Sequence, residues 1–422
     1  MKCEIEKSRI TGQIVCPSNK SYSHRAIFLA SIAGNNSKVE NVLDSADITA
    51  TIEACKKFGA EIETLNSTII IKNPINLDTS VPEINTENSG TTIRIASGIA
   101  SLFSNEITLT GDESLKKRPM QPLLDALGNM GAQCKSTNGK PPIRIKGKIS
   151  GGEVTIPGNL SSQFISALLI CAPLTDKGIN LSIEGNLVSK PYLDATIATM
   201  RKFGVTVQTL IPYKRYNVTP QIYKSTTFTV PIDFSSLALL LSAAVLNGEE
   251  VKIKGNIGTL PQGDEVFIDI LEQIGVAVTI TDEEIKIKSP EKLKGGKFDL
   301  SNSPDLLPPL AILSLGTSEP IEITNVKHAR LKETDRIAIV SREMQKLGIK
   351  IQEKEDGLIL ESSEKLSGAE LNSENDHRLF MAFCIAGMYV GNCTVSDPES
   401  VNVSYPNFVE EMNALGAKIK IQ

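Results

Sequence analysis

Six times along the chain, an amphipathic stretch ends in a glycine and gives way to a short run of β-forming residues. The copies are "ATIEACKKFGAEIE", "PLLDALGNMGAQCK", "ATIATMRKFGVTVQ", "IDILEQIGVAVTI", "SREMQKLGIKIQE" and "FVEEMNALGAKIKI". Their glycines are Gly59, Gly131, Gly204, Gly275, Gly348 and Gly416, recurring every ~70 residues, a longer period than that of ordinary solenoids. A glycine directly after a helix suits the left-handed position that ends it, so each copy predicts helix, cap, strand.

A second, far more apolar helix type alternates with the first: "SHRAIFLASIAG", "TTIRIASGIAS", "SSQFISALLICAPL", "SSLALLLSAAVLNG", "DLLPPLAILSLG" and "HRLFMAFCIAGMYVG". Helices apolar almost all round are buried. The repeating unit is therefore one outer helix, one buried helix and several strands. A chain of 422 residues exceeds one ordinary core, which predicts two domains of three units each.

The buried helices begin with "NKSYSHR", "NSGTTIR", "SSQ", "DFSS", "SPD" and "NDHR". Capping explains the Ser, Asn and Asp residues, with Ser18 or Asn19 as the cap of the first helix. It does not explain Lys20, Arg25, Arg94 and Arg378, because the first turn of a helix already carries positive dipole charge. A solvated turn would account for one such case. Recurrence points instead to helix starts that converge on one face and receive a strongly anionic ligand bearing phosphate and carboxylate groups.

Composition narrows the choice. An apolar content of 41% with 22% charged residues is that of a globular protein. A net charge of -5 and the absence of Trp argue against nucleic acid as a partner. "MKCEIEKSRITGQ" has no apolar signal core, and "LALLLSAAVL" is too short to span a bilayer. Seven Cys without a C-x-x-C pair fit reduced thiols in a cytoplasmic protein better than disulfides or a zinc site. No metal, membrane or nucleic-acid partner is expected.

In order along the chain, "PSNKSYSHR", "ENSGTTIR", "GDESLKKRPM", "SSQF", "LVSKPYLDAT", "SPDLLPPLA", "HARLKETDR", "NDHR" and "SYPNF" resemble the 5-enolpyruvylshikimate-3-phosphate synthase family. The resemblance implies an α/β fold of two domains, each three βαβαββ units around parallel buried helices, an inside-out α/β barrel. The chain would cross between domains twice, giving one domain of residues 19–230 and another of 1–18 plus 231–422, with the active site in the cleft. The implied reaction moves the enolpyruvyl group of phosphoenolpyruvate to the 5-hydroxyl of shikimate 3-phosphate. Phosphate leaves through a tetrahedral adduct, with no cofactor, and the enzyme is expected to act as a monomer.

By the same resemblance, Asp305 would accept the proton of the 5-hydroxyl, since a hydroxyl is a weak nucleophile without a base in reach. A helix cap is the plain alternative for it. Glu333 would protonate the methylene carbon of phosphoenolpyruvate, which requires its pKa to rise against neighbouring cations; a solvated charged turn is the plain alternative. Lys20 would stabilise charge at the reacting oxygen, and His377 would hydrogen-bond a reacting group. The division of proton transfers among Lys20, Asp305, Glu333 and His377 stays open.

Shikimate 3-phosphate would be held by Lys20, Ser21, Arg25, Ser161, Ser162, Gln163, Ser189, Tyr192, Asp305, His328 and Lys332. Phosphoenolpyruvate would be held by Lys20, Gly90, Arg118, Gln163, Arg336 and Arg378, with arginines binding its anionic groups bidentately and Gly90 permitting close backbone approach. Taken singly, each Ser reads as a cap and His24 as a brace for the first helix. Two positions depart from the family pattern: His328 stands where many members carry Asn, and Val403 where many bacterial members carry Lys.

Three rival classes compete with this one. The sister transferase acting on UDP-N-acetylglucosamine typically carries a reactive Cys in the loop that is "GDESLKKRPM" here, where there is none. RNA 3′-phosphate cyclisation would call for a catalytic His and a basic surface. A phosphometabolite-binding protein without chemistry would not require Asp305, Glu333, Lys20 and His377 together.

Overall fold

The computed structural model describes residues 1–281 and 284–422. They form two compact units: a continuous one, Ser18–Pro231, and a split one made of Met1–Pro17 and Ile232–Gln422. The α-helices used below are α1 (Lys20–Ala33), α2 (Ala46–Lys57), α3 (Gly90–Ala100), α4 (Gln121–Asn129), α5 (Ser162–Cys171) and α6 (Lys190–Lys202) in the continuous unit. The split unit holds α7 (Phe234–Asn247), α8 (Val266–Gln273), α9 (Leu307–Leu313), α10 (Arg336–Lys346), α11 (His377–Val390) and α12 (Phe408–Ala414).

Odd-numbered helices are the apolar set. Every residue of α7 and α9 is buried, and α11 is buried up to half-buried Tyr389 and Val390 at its C-terminal end. In the split unit α7, α9 and α11 pack on one another. In the continuous unit α3 packs on α1 and α5, and a Cβ on Gly98 of α3 would stand 2.8 Å from the Ala167 carbonyl oxygen of α5.

Even-numbered helices end alike. After α2, Gly59 lies at φ 97°, its N–H donates to Lys56 O (2.9 Å), and the Ala60 N–H reaches back to Cys55 O (3.0 Å). This paired closure needs a left-handed residue, and the same two bonds recur at Gly131, Gly204, Gly275, Gly348 and Gly416. The spacing of glycines in the sequence is thus the spacing of six identical helix stops.

Among the described residues, each unit carries three four-stranded sheets of one topology. In one, Gly152–Pro157 runs parallel to Ile179–Glu184 across α5, then the hairpin Gln208–Ile211 and Arg215–Val218 adds antiparallel. That is a βαβαββ unit. Two sheets are closed from a distance in sequence: Lys2–Ile5 pairs antiparallel with both Cys393–Ser396 and Ile419–Ile421, and Ile10–Val15 pairs parallel with Gly248–Lys254. The first sheet of the continuous unit takes Thr227–Thr229 from that unit's end.

Candidate active site

In the split unit, the starts of the buried helices gather charge. Asp305 sits on a short turn, Pro304–Leu306, that leads into α9. Its carboxylate meets Arg336 Nη1 at 2.6 Å, Lys332 Nζ at 3.5 Å and Arg378 Nη2 at 3.7 Å. Burial alone would raise the pKa of this carboxyl, but Lys332, Arg378 and Arg336 outweigh it and hold Asp305 well below the usual carboxylate range.

Arg336, 1% exposed, is the hub. It opens α10, whose start is capped by Asp335 accepting from Ala338 N (3.0 Å), and Arg330 grips Asp335 from outside (2.8 Å). Besides Asp305, the guanidinium reaches Glu333 Oε2 (2.7 Å) and Asp376 through both Nε (2.7 Å) and Nη2 (3.2 Å). Burial opposes its charge; Asp376, Glu333 and Asp305 more than restore it, raising the guanidinium pKa. Asp376 also caps α11, accepting from Arg378 N (2.9 Å), so one carboxylate orients Arg336 and the backbone that carries Arg378.

His377 Nδ1 and the Ser404 hydroxyl are hydrogen-bonded, one residue beyond half-buried Val403. Glu333, Asp376 and His377 bring ligand-type atoms within 4.8 Å of one another. Arg336 already donates to both carboxylates, so the trio is furnished with positive charge and suits an arginine rather than a metal ion. His328 lies between Lys332 and Asp305 in electrostatic terms. Burial first and then Lys332 lower its pKa to about 4, against Asp305, which raises it.

In the continuous unit, Asn19 accepts from Tyr22 N (2.7 Å) and caps α1. Lys20 follows, with Nζ 3.1 Å from Asp47 Oδ2. Arg25 is 1% exposed, and its guanidinium ties three helices together, donating to Ser21 O (2.9 Å), Thr196 Oγ1 (2.7 Å), Tyr192 O (3.2 Å) and Ser166 Oγ (3.5 Å). Burial lowers its pKa to about 10. Arg25 therefore braces α1 against α5 and α6, and Ser21 and Tyr192 serve that brace through their carbonyls.

The starts of α3 and α5 meet. Ser161 caps α5 by accepting from Gln163 N (3.3 Å). The Gln163 side chain donates to Thr91 Oγ1 (3.0 Å) and accepts from Arg94, which stacks on the Phe164 ring. Ser162 is buried in the same turn. Arg118 donates to Asn88 Oδ1 (2.8 Å), and Asn88 is anchored on Asp112 (2.7 Å). A Cβ on Gly90 would meet Arg118 Nη1 and Arg94 Nη1, each at 2.9 Å, so the glycine makes room for two guanidinium groups at the head of α3. Ser189, in left-handed backbone at φ 54°, precedes α6. Buried His24 joins a hydroxyl chain, Nδ1 to Thr51 (2.6 Å) and Thr51 to Thr92 (2.6 Å).

The structure thus gathers Asp305, Lys332, Glu333, Arg336 and Arg378 into one cluster, with His377 beside it. It gathers Gly90, Arg118 and Gln163 with Arg94 into another. Sequence reasoning assigned no role to Asp376, Asp47, Asn88 or Thr196, the partners that hold these cations. Asp376 was visible as a helix cap; its longer reach to Arg336 leaves no local signal.

Repeated βαβαββ units with cations and carboxylates gathered at buried helix starts define an α/β protein built to handle small polyanions. The chain belongs to the EPSP synthase (3-phosphoshikimate 1-carboxyvinyltransferase) family, which matches residues 5–412. A 3-phosphoshikimate 1-carboxyvinyltransferase of Nitrosopumilus maritimus is 82% identical over 420 residues, covering 100% of both chains. One from Methanosphaera stadtmanae is 39% identical, covering 98% of this chain and 99% of its own. Among solved structures, EPSP synthase from Acinetobacter baumannii superimposes with a TM-score of 0.83 at 27% identity, covering 100% of this chain and 99% of that one. The enolpyruvyl transferase NikO from Streptomyces tendae shares the fold, with a TM-score of 0.77 at 18% identity and coverage of 99% and 98%. Among the described residues, no helix is long and apolar enough to cross a membrane.

Proposed function

We infer that the chain transfers the enolpyruvyl group of phosphoenolpyruvate to the 5-hydroxyl of shikimate 3-phosphate and releases phosphate through a tetrahedral intermediate. The observation that carries this reading is Asp305, a half-buried carboxylate clasped by Lys332, Arg336 and Arg378, in a chain of this family.

In the resting protein those three cations make Asp305 a poor base. Two anionic substrates bound against the same cations draw that positive charge onto themselves, and Asp305 becomes more basic as its site fills. It then takes the proton of the attacking hydroxyl. Glu333, on the other arm of Arg336, delivers a proton to the methylene carbon and the oxygen attacks the cationic carbon; the adduct then gives up a methyl proton as its C–O bond to phosphate breaks, restoring the double bond. Lys20 stabilises charge on that oxygen, and His377, oriented by Ser404, hydrogen-bonds the reacting group.

Arg336, Arg378 and Arg118 take the carboxylate and phosphate of phosphoenolpyruvate, with Gly90 leaving them room. Lys20, Ser21, Arg25, Ser161, Ser162, Gln163, Ser189, Tyr192, Asp305, His328 and Lys332 take shikimate 3-phosphate, hydroxyls, cations and a helix start being suited to a phosphate monoester. His328, neutral near pH 7, offers a hydrogen bond without adding charge.

The test is phosphate release from purified protein given both substrates without added metal. Release with shikimate 3-phosphate is expected. No release with it, and release with UDP-N-acetylglucosamine as acceptor, would reassign the chain to the sister reaction.

A further inference from the structure

Beside Asp305 lies a second carboxyl that the mechanism above does not use. Asp264 sits on the turn Gly263–Glu265 ahead of α8 and is only 5% exposed. Its Oδ2 accepts from the Ser235 hydroxyl at the start of α7. Its Oδ1 is buried with no hydrogen-bond partner among the described residues. The turn is fastened to the Asp305 turn, because Ser303 Oγ donates to Gly263 O at 2.8 Å.

The charged groups facing Asp264 are Asp305 ahead of α9, Arg378 on α11 and Asp233 ahead of α7. Two carboxylates and one guanidinium make a poor setting for a further negative charge with a single hydroxyl donor. Burial first, and Asp305 after it, push the Asp264 carboxyl up to about 7, against the pull of Ser235 and Arg378.

We propose that Asp264 is a positioning residue that keeps a proton in the working enzyme, and that losing this proton ends activity on the alkaline side. While neutral, Asp264 leaves Arg378 to Asp305 and to the anionic substrate. Once ionised, it sets another anion against Arg378 and weakens the hold on phosphoenolpyruvate. Asn has the shape of the protonated acid and can accept from Ser235 in the same way, but it cannot ionise.

This inference rests on the enolpyruvyl-transfer reading, and its test separates the two. Infrared difference spectra of the full chain, taken from about pH 5 to about pH 9, are expected to show a buried carboxylic acid that titrates and is missing in Asp264→Asn. That readout needs no turnover. Above neutrality, kcat/KM for phosphoenolpyruvate is expected to fall about tenfold per pH unit in the wild type, whereas Asp264→Asn holds its value. Identical spectra, or pH profiles that superimpose, would overturn the proposal. A titrating acid in a protein inert with both substrates would overturn the transfer reading and leave the buried proton standing.

Discussion

Arg336 donates to Asp305 across 2.6 Å while its opposite edge rests on Asp376 at 2.7 Å. The guanidinium fork spans a carboxylate assigned to chemistry and a carboxylate that caps a helix. A lysine has one compact ammonium group and cannot bridge both. Arg336→Lys is therefore expected to cost about 3–5 kcal/mol of stability, the range for breaking a buried ion pair, and to lower turnover as Asp305 shifts. Denaturant unfolding with a parallel activity assay checks both. A variant as stable as the wild type would remove Arg336 from its place as hub.

Asp305→Asn and Glu333→Gln keep side-chain size and remove a proton acceptor or donor. With the roles proposed above, each lowers kcat by roughly 100-fold or more, while calorimetric affinity for shikimate 3-phosphate stays within a few-fold. The Asn variant also loses the counter-charge of Lys332 and Arg378 and is expected to be the less stable of the two. Affinity lost in step with kcat would make both residues structural.

Much of this was legible in the chain. The six helix stops were readable because a left-handed cap admits few residues besides Gly, and the buried helices were readable because apolar residues cover every face of them. Cap chemistry left Ser18 or Asn19 for the head of α1, and the structure uses Asn19. The partners of the cations were not legible. Asp47 binds Lys20 from 27 positions away, and Asp376 binds Arg336 from 40, separations that carry no periodic mark. For Arg25 the motif pointed to shikimate 3-phosphate, while its bonds to Thr196 and Tyr192, 171 and 167 positions on, left no mark in the sequence. Asp264 had no marker at all, since its neighbour Asp305 is 41 residues on and meets it only through folding.

Stability should fall on the acid side for a nameable reason. His24 is neutral in the fold because burial, then Lys20 and Arg25, lower its pKa well below normal. His328 is lowered to about 4. The unfolded chain protonates both near their ordinary value, so between there and the folded pKa it binds more protons than the native state. Stability is then full above roughly pH 6.5 and declines as pH drops. Asp305, with its lowered pKa, adds a further loss below about pH 4. His328→Asn removes one titration and should narrow the stability gap to wild type by roughly 1–3 kcal/mol between about pH 7 and about pH 4. Chemical unfolding at those two pH values measures it; an unchanged gap would mean His328 is charged in the fold.

Gly90 offers the cleanest separation of stability from ligand binding. It is the first residue of α3 and has no left-handed backbone requirement, so Ala suits its conformation and favours the helix by up to about 1 kcal/mol. The added Cβ would stand 2.9 Å from Arg118 Nη1 and from Arg94 Nη1. Both atoms are ends of long side chains, which swing aside at little structural cost. What they lose is their aim. A misdirected charged hydrogen bond is worth about 1.5–3 kcal/mol, so Gly90→Ala should raise KM for phosphoenolpyruvate roughly tenfold or more. KM for shikimate 3-phosphate should move far less, and the melting temperature should hold or rise. Steady-state kinetics with each substrate varied in turn, beside a thermal melt, decides it. Equal KM shifts for both substrates with a lowered melt would show ordinary packing damage, whereas an unmoved phosphoenolpyruvate KM would take Arg118 out of that subsite.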